Sequence, residues 1–201
     1  MVALAGHLGD FDAARRGLDD PAPAVRATAL GALSRIGRLE PGAWRSGLDD
    51  PAPEVRRRAC ELGVTFGQQA VTFLVRRLAD EDPSVAEAAS FALGELAGEA
   101  DAAVSALAAV ARGHADPLVR EAAVAALGAV GAPEGLEAIL AATTDKPAVR
   151  RRAVLALAPF EGPDVDAALA RALQDRDWQV RQAAEDLTGE SSPPASSPPA
   201  T

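Results

Sequence analysis

Arginine and aspartate recur along this chain at a spacing that could bind an anion or build ion pairs between repeated units. Arg26, Arg56, Arg120, Arg150 and Arg181 each directly follow a valine, and acidic residues crowd the turns just before them: Asp19 and Asp20, Asp49 and Asp50, Asp80 and Asp82, Asp116, Asp145 and Asp175. A guanidinium is a planar fork of donors that matches a carboxylate or a phosphate. With carboxylates so close to every arginine, the spacing predicts a ladder of Arg–Asp contacts between neighbouring units rather than a ligand site. A second set, Arg35, Arg57, Arg58, Arg151 and Arg152, lies off that row, and these residues are candidate partner contacts or simply a solvated face. Between them stand Glu87, Ala88, Glu121 and Ala122. The positive stripe is therefore broken and does not suit continuous tracking of a phosphate backbone.

Residue types for catalysis are scarce. The two histidines, His7 and His114, are too few for a zinc or di-iron centre, and they are followed by Leu8 and Ala115 rather than by glutamate. Cys60, the one cysteine, has no histidine near it and reads as a small core residue rather than a nucleophile or a thioether anchor. Trp44 and Trp178 could supply the aromatic platform of a site acting on a damaged base, and Trp178 has Asp175, Arg176, Asp177 and Arg181 beside it. Trp178 reads equally well as a cap over the last turn or as a partner contact. The formal net charge of -9 opposes attraction to nucleic acid or to an anionic membrane.

The elements that must position these groups are copies of one unit. Valine is followed four residues later by alanine at Val25/Ala29, Val55/Ala59, Val85/Ala89, Val119/Ala123, Val149/Ala153 and Val180/Ala184, at intervals of 30, 30, 34, 30 and 31 residues. That period holds two short helices with their turns. Val25, Ala29, Leu33 and Ile36 share one helical stripe. Proline two residues before the valine (Pro23, Pro53, Pro83, Pro117, Pro147) suits a first helical position, and Asp82, Asp116 and Asp177 suit N-caps. Glycine closes the second helix at Gly37, Gly67 and Gly131. First helices are expected at Asp12 to Leu18, Pro41 to Leu48, Gln69 to Leu78, Asp101 to Ala111, Pro133 to Ala141 and Asp164 to Leu173.

Departures from the pattern are informative. The interval of 34 predicts a longer first helix or loop around Gly98 to Ala111. Ala86 stands where arginine is expected, Gly63 and Thr188 replace a leucine, and Trp178 replaces the sixth proline. Met1 to Gly9 reads as a terminal half-repeat. With 48% hydrophobic and 3% aromatic residues and no tyrosine, the interior is filled by Ala, Leu and Val, as an all-α fold requires. Residues 1–188 are expected to form the repeat array and 189–201 a disordered Ser/Pro-rich tail.

The segment Leu18 to Gly37 and its copies resemble the short HEAT repeats of phycobilisome-lyase type, over roughly residues 1–188. The resemblance implies an all-α, right-handed α-solenoid, an armadillo/HEAT-like alpha-alpha superhelix of about six helix pairs. Proteins with this repeat include scaffolds, bilin lyase subunits, a metal-dependent hydroxylase and DNA glycosylases. The expected role is a non-catalytic scaffold or adaptor that binds a protein partner on its concave face through Arg35, Arg57, Arg58, Arg151, Arg152 and Trp178. Alternatives are a nucleic-acid-binding or glycosylase-type protein and a bilin lyase or chaperone-like subunit. No cofactor or metal is expected; no apolar run reaches membrane-spanning length, and a cytoplasmic monomer is the expected form.

Overall fold

In the computed structural model, residues 11–96 and 101–189 are described. His7, the Met1 to Gly9 half-repeat, the start of the fourth-interval insertion and nearly all of the Ser/Pro-rich segment lie outside these residues. Six helix pairs follow one another: α1 (Phe11–Arg16) with α2 (Pro23–Arg35), α3 (Pro41–Leu48) with α4 (Pro53–Leu62), α5 (Val71–Arg77) with α6 (Pro83–Glu95), α7 (Asp101–Gly113) with α8 (Pro117–Val130), α9 (Leu136–Ala142) with α10 (Pro147–Ala156), and α11 (Pro163–Ala172) with α12 (Trp178–Thr188). Short 3-10 turns at Gly17–Asp19, Gly63–Ala70 and Pro133–Gly135 join them. The protein is an α-solenoid.

Each second helix starts as its sequence dictates. Proline occupies the first turn of α2, α4, α6, α8 and α10, where its missing N–H leaves no hydrogen bond unmade. Asp82, Asp116 and Asp177 accept the N–H of Ser84, Leu118 and Gln179 and cap α6, α8 and α12. Gly131 ends α8 in the left-handed region at φ 66°, donating to the Leu127 carbonyl at 3.0 Å. The second copy ends differently from expectation. Its helix stops at Leu62, and a 3-10 run carries the chain on to Gly67, the residue with positive φ. Gly63 stands at this changeover in helical φ/ψ, in a tight spot where a Cβ would sit 3.1 Å from the Leu74 methyls.

The Val/Ala stripe is the core. From the second copy on, all of its members are at most 1% exposed. One hydrophobic cluster runs from Leu30 to Ala168, with a smaller one at each end, so the interior is a row of small cores. Second helices pack on one another along the whole array more extensively than first helices do, which puts the second-helix layer on the inside of the curve. Two close approaches tighten that layer: a Cβ on Gly94 would lie 3.0 Å from Ala126 Cα, and one on Gly128 would lie 2.7 Å from Ala156 Cα. The insertion appears as a long first helix, α7, of 13 residues.

Candidate functional site

The predicted ladder is present. Arg26 donates from Nε and Nη2 to both oxygens of Asp50 at 2.8 and 2.7 Å, Arg56 to Asp80 at 2.9 and 2.8 Å, Arg120 to Asp145 at 2.6 and 2.7 Å, and Arg150 to Asp175 at 2.8 and 2.7 Å. The same arginines use Nη1 to bond carbonyls of their own preceding turn, at Asp20, Asp50, His114 and Asp145. Each therefore ties its own turn to the next unit's turn. Asp50, Asp145 and Asp175 titrate below the ordinary carboxylate value, chiefly because of the arginine bond, which outweighs burial. For Asp80 burial is the largest influence and pushes upward, yet Arg56 and the Asp82 N–H together bring the value down. These arginines are structural.

One rung is missing, and both of its partners are replaced. Ala86, fully buried, stands at the arginine position of α6. The aspartate position of the next turn, five residues before Val119, holds His114. Its Nδ1 accepts the Asp116 N–H at 3.1 Å, the turn-closing bond that Asp50 and Asp80 make to Ala52 and Asp82 elsewhere. Counting residues from Asp116 alone conceals this replacement.

Beside the missing rung, on the inner layer, α6, α8 and α10 enclose a concavity of about 380 Å³. Its floor is made of Gly94, Ala122, Ala125 and Ala126, small side chains that allow the helices to approach and leave space above them. Phe91 and Leu118, 64% and 59% exposed, form its apolar wall. Glu87, Glu95 and Glu121 supply three carboxylates against one guanidinium, Arg152, whose Nε lies 3.5 Å from Glu121 Oε1. Among the described residues Glu87 and Glu95 have no ion-pair partner. Three further concavities sit at ladder turns, lined by Arg26 with Asp50, by Arg56 with Asp80, and by Asp175.

Of the sequence-selected contacts, Arg152 lines this groove. Arg57 and Arg151 share the register of Glu87 and Glu121, two residues after the valine, and Arg35 shares that of Glu95, so they flank it on the same layer. Arg57 and Arg58 both pair with Glu61 within α4, and Arg58 also lies over Gly31. Trp178, at the start of α12, is 65% exposed and does not cover the last turn as a cap would. Phe91, Leu118 and the glutamates were not singled out as a site by sequence. The available signal was that Phe91 occupies a position held by Gly31, Glu61, Ala125, Leu155 and Asp186 in the other copies.

Two chemistry-bearing groups are absorbed by the fold. Trp44 is 1% exposed, donates from Nε1 to the Ala59 carbonyl at 2.8 Å and stacks on Phe66 at 4.5 Å, so it offers no platform for a base. Cys60 is fully buried, which pushes its thiol up to about 12 and keeps it protonated.

The family model for HEAT repeats matches residues 42–112 and again residues 104–187. The chain belongs to the HEAT-repeat family. No curated protein sequence matches it. Among solved structures it is similar to a designed armadillo repeat protein in complex with the peptide (KR)4, at 18% identity and TM-score 0.62 over 88% of this chain and 97% of that one. It is also similar to YibA of Escherichia coli, at 20% identity and TM-score 0.63, over 79% of this chain and 61% of that one. Human deoxyhypusine hydroxylase in complex with glycerol is similar at 26% identity and TM-score 0.51, over 79% of this chain and 64% of that one. These HEAT repeats therefore share their solenoid architecture with a designed protein solved with a peptide and with an enzyme. Among the described residues, no group of three or more His, Cys, Asp or Glu side chains is placed to hold a metal ion, and no helix is long and apolar enough to cross a membrane.

Proposed function

We propose that this HEAT-repeat protein is a non-catalytic adaptor that holds a protein partner along its inner layer, centred on the groove between α6, α8 and α10. The observation that carries this reading is the placement of Phe91 and Leu118, two of the three large apolar side chains exposed among the described residues, on the wall of one concavity. Apolar surface gathered at a rigid groove is what a partner can bury, and a preorganised array loses little entropy in binding it. A designed armadillo repeat protein of similar fold holds a peptide, so a stack of this kind can accommodate one. Arg35, Arg57, Arg58, Arg151 and Arg152 flank the groove and serve as outer contacts, with Trp178 further along at α12. The carboxylates that line it oppose a phosphate backbone, and the protonated Cys60 offers no attachment point for a bilin. In this reading the protein works as a cytoplasmic monomer.

Site-specific photo-crosslinking tests this directly. A crosslinker at Ala129, on the groove, should capture a partner that is then identified and reconstituted from purified components. The same probe at Glu137, on α9 of the outer layer, should not. Capture from Glu137 with none from Ala129 would overturn the reading.

A further inference from the structure

Within the adaptor reading, we infer that the groove between α6, α8 and α10 selects a linear peptide segment with an apolar side chain flanked by lysine or arginine. The inference deepens that reading by naming the partner's chemistry. The groove has two parts with different demands. Phe91, Leu118 and the small side chains beside them offer surface for an apolar side chain to bury against, while the polar side chains that line the groove are Glu87, Glu95, Glu121 and Arg152. The rim asks for positive charge: Glu87 and Glu95 have no ion-pair partner among the described residues, while Arg152 lies against Glu121. Glu87 and Glu95 stand eight residues, roughly 12 Å, apart along α6 with Phe91 between them, so each offers its carboxylate to a separate cation on either side of the apolar side chain, and neither gives up an ion pair among the described residues.

The neighbouring units sharpen the selection. On α4 the arginines Arg57 and Arg58 pair with Glu61. Glu61 is thereby occupied and Arg57 and Arg58 add positive charge to α4, so basic residues of the segment are drawn to Glu87 and Glu95 on α6. Acidic or phosphorylated segments are repelled at the same place. The missing rung follows the same logic, because Ala86 in place of arginine removes a guanidinium from the helix that carries Glu87. Groove and rung sit at one junction, and α6 is devoted to acidic and apolar surface.

The test uses the full chain and fluorescein-labelled peptides with a Leu-Phe centre, flanked either by lysines or by glutamates, followed by fluorescence anisotropy. The lysine-flanked peptide should bind saturably, and its affinity should fall with added salt. Phe91→Ser and the double substitution Glu87→Lys with Glu95→Lys should each weaken it by roughly tenfold or more, the scale of a hot-spot contact. All three positions are exposed, and unchanged circular dichroism confirms that the variants fold. Equal binding of the two peptides, an affinity unchanged by the glutamate reversals, preference for a labelled single-stranded DNA, or no binding of either peptide would overturn the inference. Photo-crosslinking at Ala129 that yields a reconstitutable partner without a basic segment would also overturn it, and would leave the adaptor reading standing.

Discussion

The junction between α4 and α6 and the junction between α6 and α8 are built from the same repeat yet held in different ways. At the first, Arg56 is 6% exposed and grips both oxygens of Asp80, whose side chain is 4% exposed. At the second there is no such pair: Ala86 and His114 occupy the two positions. In compensation α6 and α8 make the most extensive helix-to-helix contact among the described residues, aided by the close approach of Gly94 to Ala126. The comparison teaches that the rung is dispensable where small-residue packing is close, although the α8/α10 junction combines the two, with Arg120 on Asp145 and Gly128 against Ala156. A junction locked by small-residue packing is free to present apolar and acidic surface.

The largest effect is expected from breaking the α4/α6 lock. Arg56→Ala leaves the buried Asp80 carboxylate with only the Asp82 N–H at 3.1 Å and a longer contact to Arg77 at 3.5 Å, and should cost about 3 kcal/mol, the lower end for a broken buried pair, read as a shift in the urea midpoint. The pH dependence carries the same information. Asp50, Asp80, Asp145 and Asp175 titrate below their ordinary value of 3.8 in the folded protein, so their contribution is complete above that pH and is lost as the pH falls through the lower folded values. Acid titration of stability should therefore steepen below pH 3.8 in the parent, and Arg56→Ala should show a shallower fall.

A smaller effect breaks the other kind of lock. Gly94→Ala places a methyl 3.0 Å from Ala126 Cα, which is backbone and cannot turn aside, and should cost about 1 to 2 kcal/mol. Converting one lock into the other sharpens the comparison. Ala86→Arg alone buries an unpaired cation, whereas Ala86→Arg with His114→Asp recreates the rung, and a double-mutant cycle should return a favourable coupling of about 0.5 to 3 kcal/mol. A coupling of zero would show that the turn before α8 does not align with the other turns. Smallest in stability is Phe91→Ser, expected within about 0.5 kcal/mol of the parent because the ring is exposed.

Much of this frame was legible in the residues. Proline at the helix starts, Asp82, Asp116 and Asp177 at the caps, the Val/Ala stripe and the Arg–Asp pairs all follow from local rules that each copy repeats. The interval of 34 predicts a longer first helix or loop, and α7, with 13 residues, is the longest first helix among the described residues. The groove was less legible because it exists only between copies. Phe91 and Leu118 lie off the stripe, and helical register alone does not say whether a neighbouring unit covers such a residue or leaves it bare. Trp44 shows the opposite outcome: it is equally large, but the chain returns through Phe66 and Phe73 to enclose it. His114 was hidden by the insertion, which masks its equivalence to Asp50 and Asp80.

The separation of lock from groove is tested most directly by measuring, for Arg56→Ala and Phe91→Ser side by side, the affinity for the lysine-flanked peptide at a temperature where both variants are folded. Arg56→Ala should bind as the parent does despite its lowered unfolding midpoint, and Phe91→Ser should lose roughly tenfold in affinity with its midpoint unchanged. Lost binding in Arg56→Ala together with retained binding in Phe91→Ser would contradict the account.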